Sequence, residues 1–125
     1  MRVLSIGQCR PDHAGISFYL KSSFAADVDA AATESEALQY LQAGTYRLIL
    51  VNRVLDADGS DGLALIERLC RSEYSDTPVM LVSNYPDWQQ RAVAVGAADG
   101  FGKAELNSAA TREKIVAVLG DKGDS

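Results

Sequence analysis

The sequence predicts an α/β domain, a doubly wound sheet of five parallel strands with helices on both faces. Strand-like and helix-like patterns alternate five times along the 125 residues, and right-handed crossovers between parallel strands place helices on both sides. Leu48-Ile-Leu-Val51 is an unbroken apolar run of the kind buried on both faces of a parallel sheet. The length suits one domain, which at this size buries roughly two-thirds of the unfolded chain's surface.

Each element has its own signal. Arg2 to Ile6 reads as the first strand. His13 to Phe24 spaces Ile16, Leu20 and Phe24 by four, one helix face. Ala26 to Ala31 is a weaker strand, assigned by position. Thr33 and Glu36 form a capping box for a helix carrying Ala37, Leu38 and Leu41, closed by Gly44. Arg47 to Asn52 is the third strand. A loop rich in Asp and Gly follows, from Asp56 to Gly62, before a helix marked by Leu63, Ile66 and Cys70. Pro78 to Ser83 is the fourth strand. Asp87 is expected to cap a helix holding Trp88, Ala92 and Val95 that stops at Gly96. Gly100 to Gly102 reads as a short fifth strand. The last helix starts at Asn107 or Ser108, with Ala109, Val116 and Leu119 on one side. Residues 1–120 thus form one domain, and 121–125 have the composition of a frayed tail.

Composition narrows the function classes. Twelve basic and 17 acidic residues give a net charge of -5, which argues against nucleic acid or an anionic membrane as the main partner. No apolar run approaches the length a bilayer needs, and Met1 to Ile6 show no signal peptide. Cys9 and Cys70 lack a CxxC spacing, so a reducing, cytoplasmic setting without a disulfide is expected. His13, the single histidine, reads as a surface residue at a helix start and makes no zinc site.

In open parallel sheets function gathers beyond the carboxyl ends of the strands. Here those ends carry Gly7, Gln8, Cys9, Asn52, Arg53, Ser83, Asn84, Gly102 and Lys103. From Arg2 to Leu119 the order of these pieces resembles the receiver domain of bacterial two-component response regulators. The carriers are the apolar strand ending at Asn52, Asp61-Gly62 opening a helix, Pro78-Val-Met-Leu-Val-Ser83, Gly96-Ala-Ala-Asp99, and Lys103 after the fifth strand. The resemblance implies a flavodoxin-like sheet of order 2-1-3-4-5. It also implies a chemistry: phosphoryl transfer to an aspartate ending the third strand, with Mg²⁺ on an acidic pair after the first. A Ser or Thr ending the fourth strand and a Lys after the fifth contact the phosphoryl group.

Ser83 and Lys103 match these last two roles, and the rest of the pattern is missing. Asn52 stands at the acceptor position, and an amide cannot form an acyl phosphate. Gly7 and Gln8 stand at the acidic pair, so the carboxylates that Mg²⁺ seeks are absent. Ala104 follows Lys103 where receivers commonly carry proline. Gly100 occupies the position of an aromatic that reports phosphorylation, with Phe101 next to it. The loop from Asn52 to Asp61 is about two residues longer than usual for such domains.

The remaining candidates divide between site and scaffold. Asn52 reads as a neutral filler that caps its strand and hydrogen-bonds the loop. Ser83 and Lys103 are candidates for an anion site, although an ion pair of Lys103 with Asp56, Asp58 or Asp61 is the plainer expectation. Asp56-x-Asp58-x-Ser60 with Glu67 has most oxygens of a calcium loop, but Asp61 occupies the glycine position and a strand leads in. A solvated turn with Asp61 capping the next helix is expected instead. Tyr85, Trp88 and Phe101 form a candidate partner surface, Trp88 being equally suited to packing on the sheet. Cys9 reads as inert packing.

The leading expectation is an atypical stand-alone receiver domain, a non-enzymatic, phosphorylation-independent protein-interaction module without metal or cofactor. Its partner would be a histidine kinase, another regulator or an output protein, and the chain itself a monomer or weak homodimer. One alternative is a small-anion or nucleotide sensor using Ser83, Asn84 and Lys103 beside Gln8 and Asn52. Another moves the phosphoacceptor to Asp56, Asp58 or Asp61. An FMN protein of the same topology is disfavoured, because Arg10-Pro-Asp-His is a poor phosphate cradle.

Overall fold

The computed structural model describes residues 1–120, and the expected tail at 121–125 lies outside the described residues. The strands are β1 (Arg2–Ile6), β2 (Asp27–Ala31), β3 (Leu48–Asn52), β4 (Val79–Val82) and β5 (Ala98–Phe101). All pair in parallel in the order 2-1-3-4-5. Between them run α1 (Arg10–Phe24), α2 (Glu34–Ala43), α3 (Gly62–Cys70), α4 (Pro86–Ala94) and, last, α5 (Ala109–Leu119). The α/β prediction and its strand order hold.

The strand period of two divides the core into two layers. Ile49 and Val51 of β3, with Val79 and Leu81 of β4, face α2, α3 and α4 through Ala37, Leu41, Leu65, Ile66, Leu69 and Ala92. Leu48, Leu50, Met80 and Val82 face α1 and α5 through Ile16, Leu20, Phe24, Ile115 and Leu119. The central strands are therefore apolar on both sides, which is why the Leu48–Val51 run was readable without any alternation.

Several expected boundaries and contacts differ. The first helix begins at Arg10 rather than His13, because Pro11 sits in its first turn, where a missing N–H costs nothing. Asp87 does not cap α4. Tyr85 holds that position and Pro86 opens the helix. The helix ends at Ala94, so Val95 is its cap and Gly96 takes a φ of +117°. The capping box on α2 is shifted: Thr33 Oγ1 accepts from Glu36 N–H, while Glu36 Oε1 accepts from Ala32 N–H. On α5 the buried positions are Thr111, Ile115 and Leu119, whereas Ala109 is exposed and Val116 half-buried. Ser108 caps that helix through Thr111 N–H and fixes this face.

The fifth strand spans Ala98–Phe101 rather than Gly100–Gly102, followed by a short 3₁₀ turn at Lys103–Glu105. Its register against β4 slips between Met80↔Ala98 and Val82↔Phe101, leaving one extra residue on β5. Gln89 of α4 fills that bulge. Its Nε2 donates to Leu81 O at 2.9 Å and Ser83 O at 3.0 Å, and its Oε1 accepts from Gly100 N–H at 3.2 Å. Gly100 leaves the room, since a Cβ there would lie 2.1 Å from Leu81 O.

Truncation separates the two readings of α5. Ile115→Ala, which empties a fully buried site, should cost about 2–5 kcal/mol in urea unfolding, and Val116→Ala less than about 1 kcal/mol.

Candidate functional site

Gly7, Asn52, Ser83 and Lys103 all emerge at the carboxyl ends of adjacent strands. A pocket of about 210 Å³ opens there, lined by Asn52, Arg53, Val82, Ser83, Asn84, Tyr85, Trp88 and Lys103. The sheet thus brings Asn52, Ser83 and Lys103 together as the sequence predicts.

Asn52 does more than fill space. Its Nδ2 donates to Gly7 O at 3.1 Å and Val54 O at 2.9 Å, and its Oδ1 accepts from Arg53 N–H at 3.1 Å. The side chain ties the end of β1 to the end of β3 and to the loop beyond. Both long bonds need N–H donors, which an ionised carboxylate cannot supply.

The missing acidic pair has a steric cause as well. Gly7 adopts φ +79°, and a Cβ there would meet Leu55 Cδ2 at 2.3 Å. Leu55 reaches that place because the longer loop folds as a small hairpin. Val54 bridges Asp61, Leu55 N–H donates to Ser60 O at 3.0 Å, and Gly59 turns at φ +72°. Asp56 N–H then closes on Gly7 O at 3.0 Å. Leu55 is 1% exposed and belongs to the core, so an apolar side chain occupies the space that a side chain at position 7 would need. The Gln8 amide is buried on both its atoms without a hydrogen-bond partner. This donor set does not fit a divalent cation, which requires carboxylate or carbonyl oxygens open to it.

The expected ion pair of Lys103 with the Asp56–Asp61 loop does not form. Its Nζ pairs instead with Asp12 Oδ2 of α1 at 2.7 Å, an oxygen that also accepts from Cys9 Sγ at 3.0 Å. Cys9 is accordingly a half-buried donor rather than plain packing, and His13 is half-buried, not a surface residue. Asp12 lies far from Lys103 in sequence, and no local pattern joins them. The Lys103 ammonium and then the Cys9 thiol hold the Asp12 carboxyl below its usual 3.8, against an opposing effect of burial.

Asp58 and Asp61 are otherwise engaged. Asp61 accepts from Leu63 N–H as cap of α3, the role the sequence predicts, and from Arg53 Nη1 at 2.9 Å. Asp58 accepts from Ser60 N–H at 2.9 Å and from its hydroxyl. None of Asp56, Asp58 and Asp61 lines the pocket.

Arg53 is among the strand-end residues in the sequence reading, but its contacts are not foreseen there. Its guanidinium carbon lies 3.6 Å from the centre of the Trp88 ring and that of Arg91 lies 4.7 Å from it, two cation–π contacts. Trp88 therefore packs partly into the core and partly against two arginines. Tyr85 is 68% exposed and fits a contact surface, whereas Phe101, at 2%, is core and is removed from the expected partner face. The bulge explains it: the extra residue in β5 turns Phe101 toward α1 and α5.

Two outcomes follow. Asn52→Asp should lose about 1–3 kcal/mol near neutral pH, because a charge then faces two carbonyl oxygens. Protonation returns one donor, so the deficit should shrink toward acid pH; denaturant melts at pH 4 and 7 check this. For Asp12 the sign is opposite. Its folded pKa is depressed, so its contribution is complete above the unfolded value and lost as pH falls through the folded one. Asp12→Asn should flatten that part of the acid limb in a pH series of thermal melts.

No family model matches this sequence, and no curated protein is similar to it at a significant level. Solved structures are similar to it. The signal receiver domain of a DNA-binding response regulator from Colwellia psychrerythraea superposes with a TM-score of 0.79 at 21% identity, covering 95% of this chain and 98% of that one. A response regulator from Thermotoga maritima gives 0.74 at 26% identity, over 92% and 95%. One from Burkholderia pseudomallei, solved with a phosphorylated aspartic acid, calcium ion and citrate, gives 0.71 at 24%, over 94% and 65%. The chain has the fold of response-regulator receiver domains.

Proposed function

We propose that this chain is a receiver-type module of two-component signalling that acts through protein–protein contact and takes no phosphoryl group at Asn52. One observation carries the reading: the Asn52 amide is a double donor, locked on Gly7 O and Val54 O. The position that would hold a nucleophile is a structural tie. Leu55 over Gly7 supports the same conclusion, since it removes the place for a metal ligand. The reaction and its metal are lost together, while the sheet, Ser83 and Lys103 persist.

What remains is a surface. The exposed Tyr85 at the start of α4 offers an aromatic side chain of the type that anchors protein contacts. Its partner on this reading is a histidine kinase, another regulator or an output protein in the cytoplasm. Gln89 pins α4 to β4 and β5 through backbone groups of both strands. That face is accordingly held in one arrangement rather than thrown by phosphorylation.

Incubation with a small phosphodonor and Mg²⁺, followed by intact-mass measurement beside an ordinary receiver, tests the reading. No adduct is expected on this chain while the control is labelled. Asn52→Asp should also remain unlabelled, because Gly7 and Leu55 still deny the metal its ligands. A hydroxylamine-labile adduct on the unaltered protein would overturn the proposal, and peptide mapping would locate the acceptor.

A further inference from the structure

We propose that the outer face of α1 is a self-association surface, on which a second copy of this chain lays its own α1 antiparallel about a twofold axis. The inference goes beyond the interaction role and uses none of the strand-end residues. It also leaves Tyr85 free, because α1 and α4 cover opposite faces of the sheet.

The helix is uncharged on two sides. Ile16, Leu20 and Phe24 form its buried stripe. About half a turn away, Pro11, Ala14, Gly15, Phe18 and Ser22 recur at the spacing of a second stripe, each of them exposed and none charged. A surface helix ordinarily carries charged residues there. Phe18 is 64% exposed, and among the described large apolar side chains only Tyr85 is more so. Gly15 weakens the middle of the helix relative to alanine. The fold makes no demand for that glycine, since a Cβ built on it would meet nothing within 4 Å. An exposed ring and an open notch are thus neighbours on a helix whose core side is already complete.

The occupant follows from the spacing. When two copies of α1 cross antiparallel, Phe18 of each enters the notch at Gly15 of the other, and the same register sets Pro11 against Ser22. One contact is made twice, the isologous pattern that closes as a dimer and does not grow into a filament. The two macrodipoles oppose. Arg10, exposed at the N-terminal end of one helix, comes to the C-terminal end of the other, which favours a cation. A helix of 15 residues offers less than the roughly 1,200 Å² of a stable interface. Each copy also carries a net charge of -5, so the dimer should be reversible, with a Kd of about 0.1–1 mM.

Sedimentation equilibrium of the whole protein from about 0.02 to about 2 mM, at about 0.15 M salt, should show a monomer–dimer equilibrium in that range. Phe18→Glu should raise Kd at least about tenfold, with circular dichroism checking that the variant folds. Gly15→Ala separates docking from a merely structural role. It should raise the melting temperature of the dilute protein by about 2–5 °C while weakening the dimer about threefold or more.

Mixing tests the register. Phe18→Lys and Gly15→Glu should each dimerise poorly alone and associate more tightly together. The mixed pair keeps one Phe18–Gly15 contact and opposes the new ammonium to the new carboxylate. A monomer at every concentration up to about 2 mM, above the expected Kd, would overturn the proposal and leave the stripe to a different protein. So would undiminished association of a folded Phe18→Glu variant, or no gain on mixing. The phosphodonor experiment reads the interaction role separately, so either inference can fail alone.

Discussion

The site depends on one side-chain amide. Asn52 ends β3, and its two N–H donors reach Gly7 O across the sheet and Val54 O along the loop. Those bonds fix where β1 ends, where the loop departs and how Leu55 enters the core. Gly62 is drawn into the same knot. Its N–H donates to Arg53 O at 2.8 Å, and a Cβ on it would lie 1.9 Å from Asn52 O. An aspartate at 52 would keep the bond from Arg53 N–H but turn its second oxygen on Gly7 O and Val54 O, which would loosen this tie.

From that tie the electrostatics follow. Without carboxylates at the strand ends, Lys103 has to find its counter-charge elsewhere, and it takes Asp12 from the first turn of α1. The pair is partly solvated and contributes little to stability by itself. Its consequence is positional, because it draws Lys103 toward α1. Arg53, next to Asn52, meets the parallel requirement by stacking on Trp88 and pairing with Asp61.

The core does not depend on the residues at the strand ends. Both core layers are intact, from Ile16 and Leu20 on one face to Leu65 and Ile66 on the other. Packing requires shape and apolarity, and is indifferent to whether residue 52 is Asp or Asn. Where a receiver-type surface would rearrange, Gln89 supplies a side chain that substitutes for missing ladder bonds between β4 and β5. Function read from fold alone would miss both facts, because it resides in the groups at the strand ends.

The sequence by itself determined the parallel sheet, its helices and the convergence of Asn52, Ser83 and Lys103. Apolar periodicity and the β3 run are local signals, and strand ends in such a sheet necessarily lie together. It also placed Asp61 at the start of α3 and narrowed the start of α5 to Asn107 or Ser108, of which Ser108 is the cap, since caps act within three residues. Only the tertiary structure decided that Lys103 pairs with Asp12, that Arg53 stacks on Trp88, that Leu55 closes over Gly7 and that Phe101 is core. Each of these depends on distances between elements remote in the chain, or on a one-residue bulge that turns every following side chain to the other face. Charge and side-chain type can be read from a sequence. Which charge meets which is settled by packing.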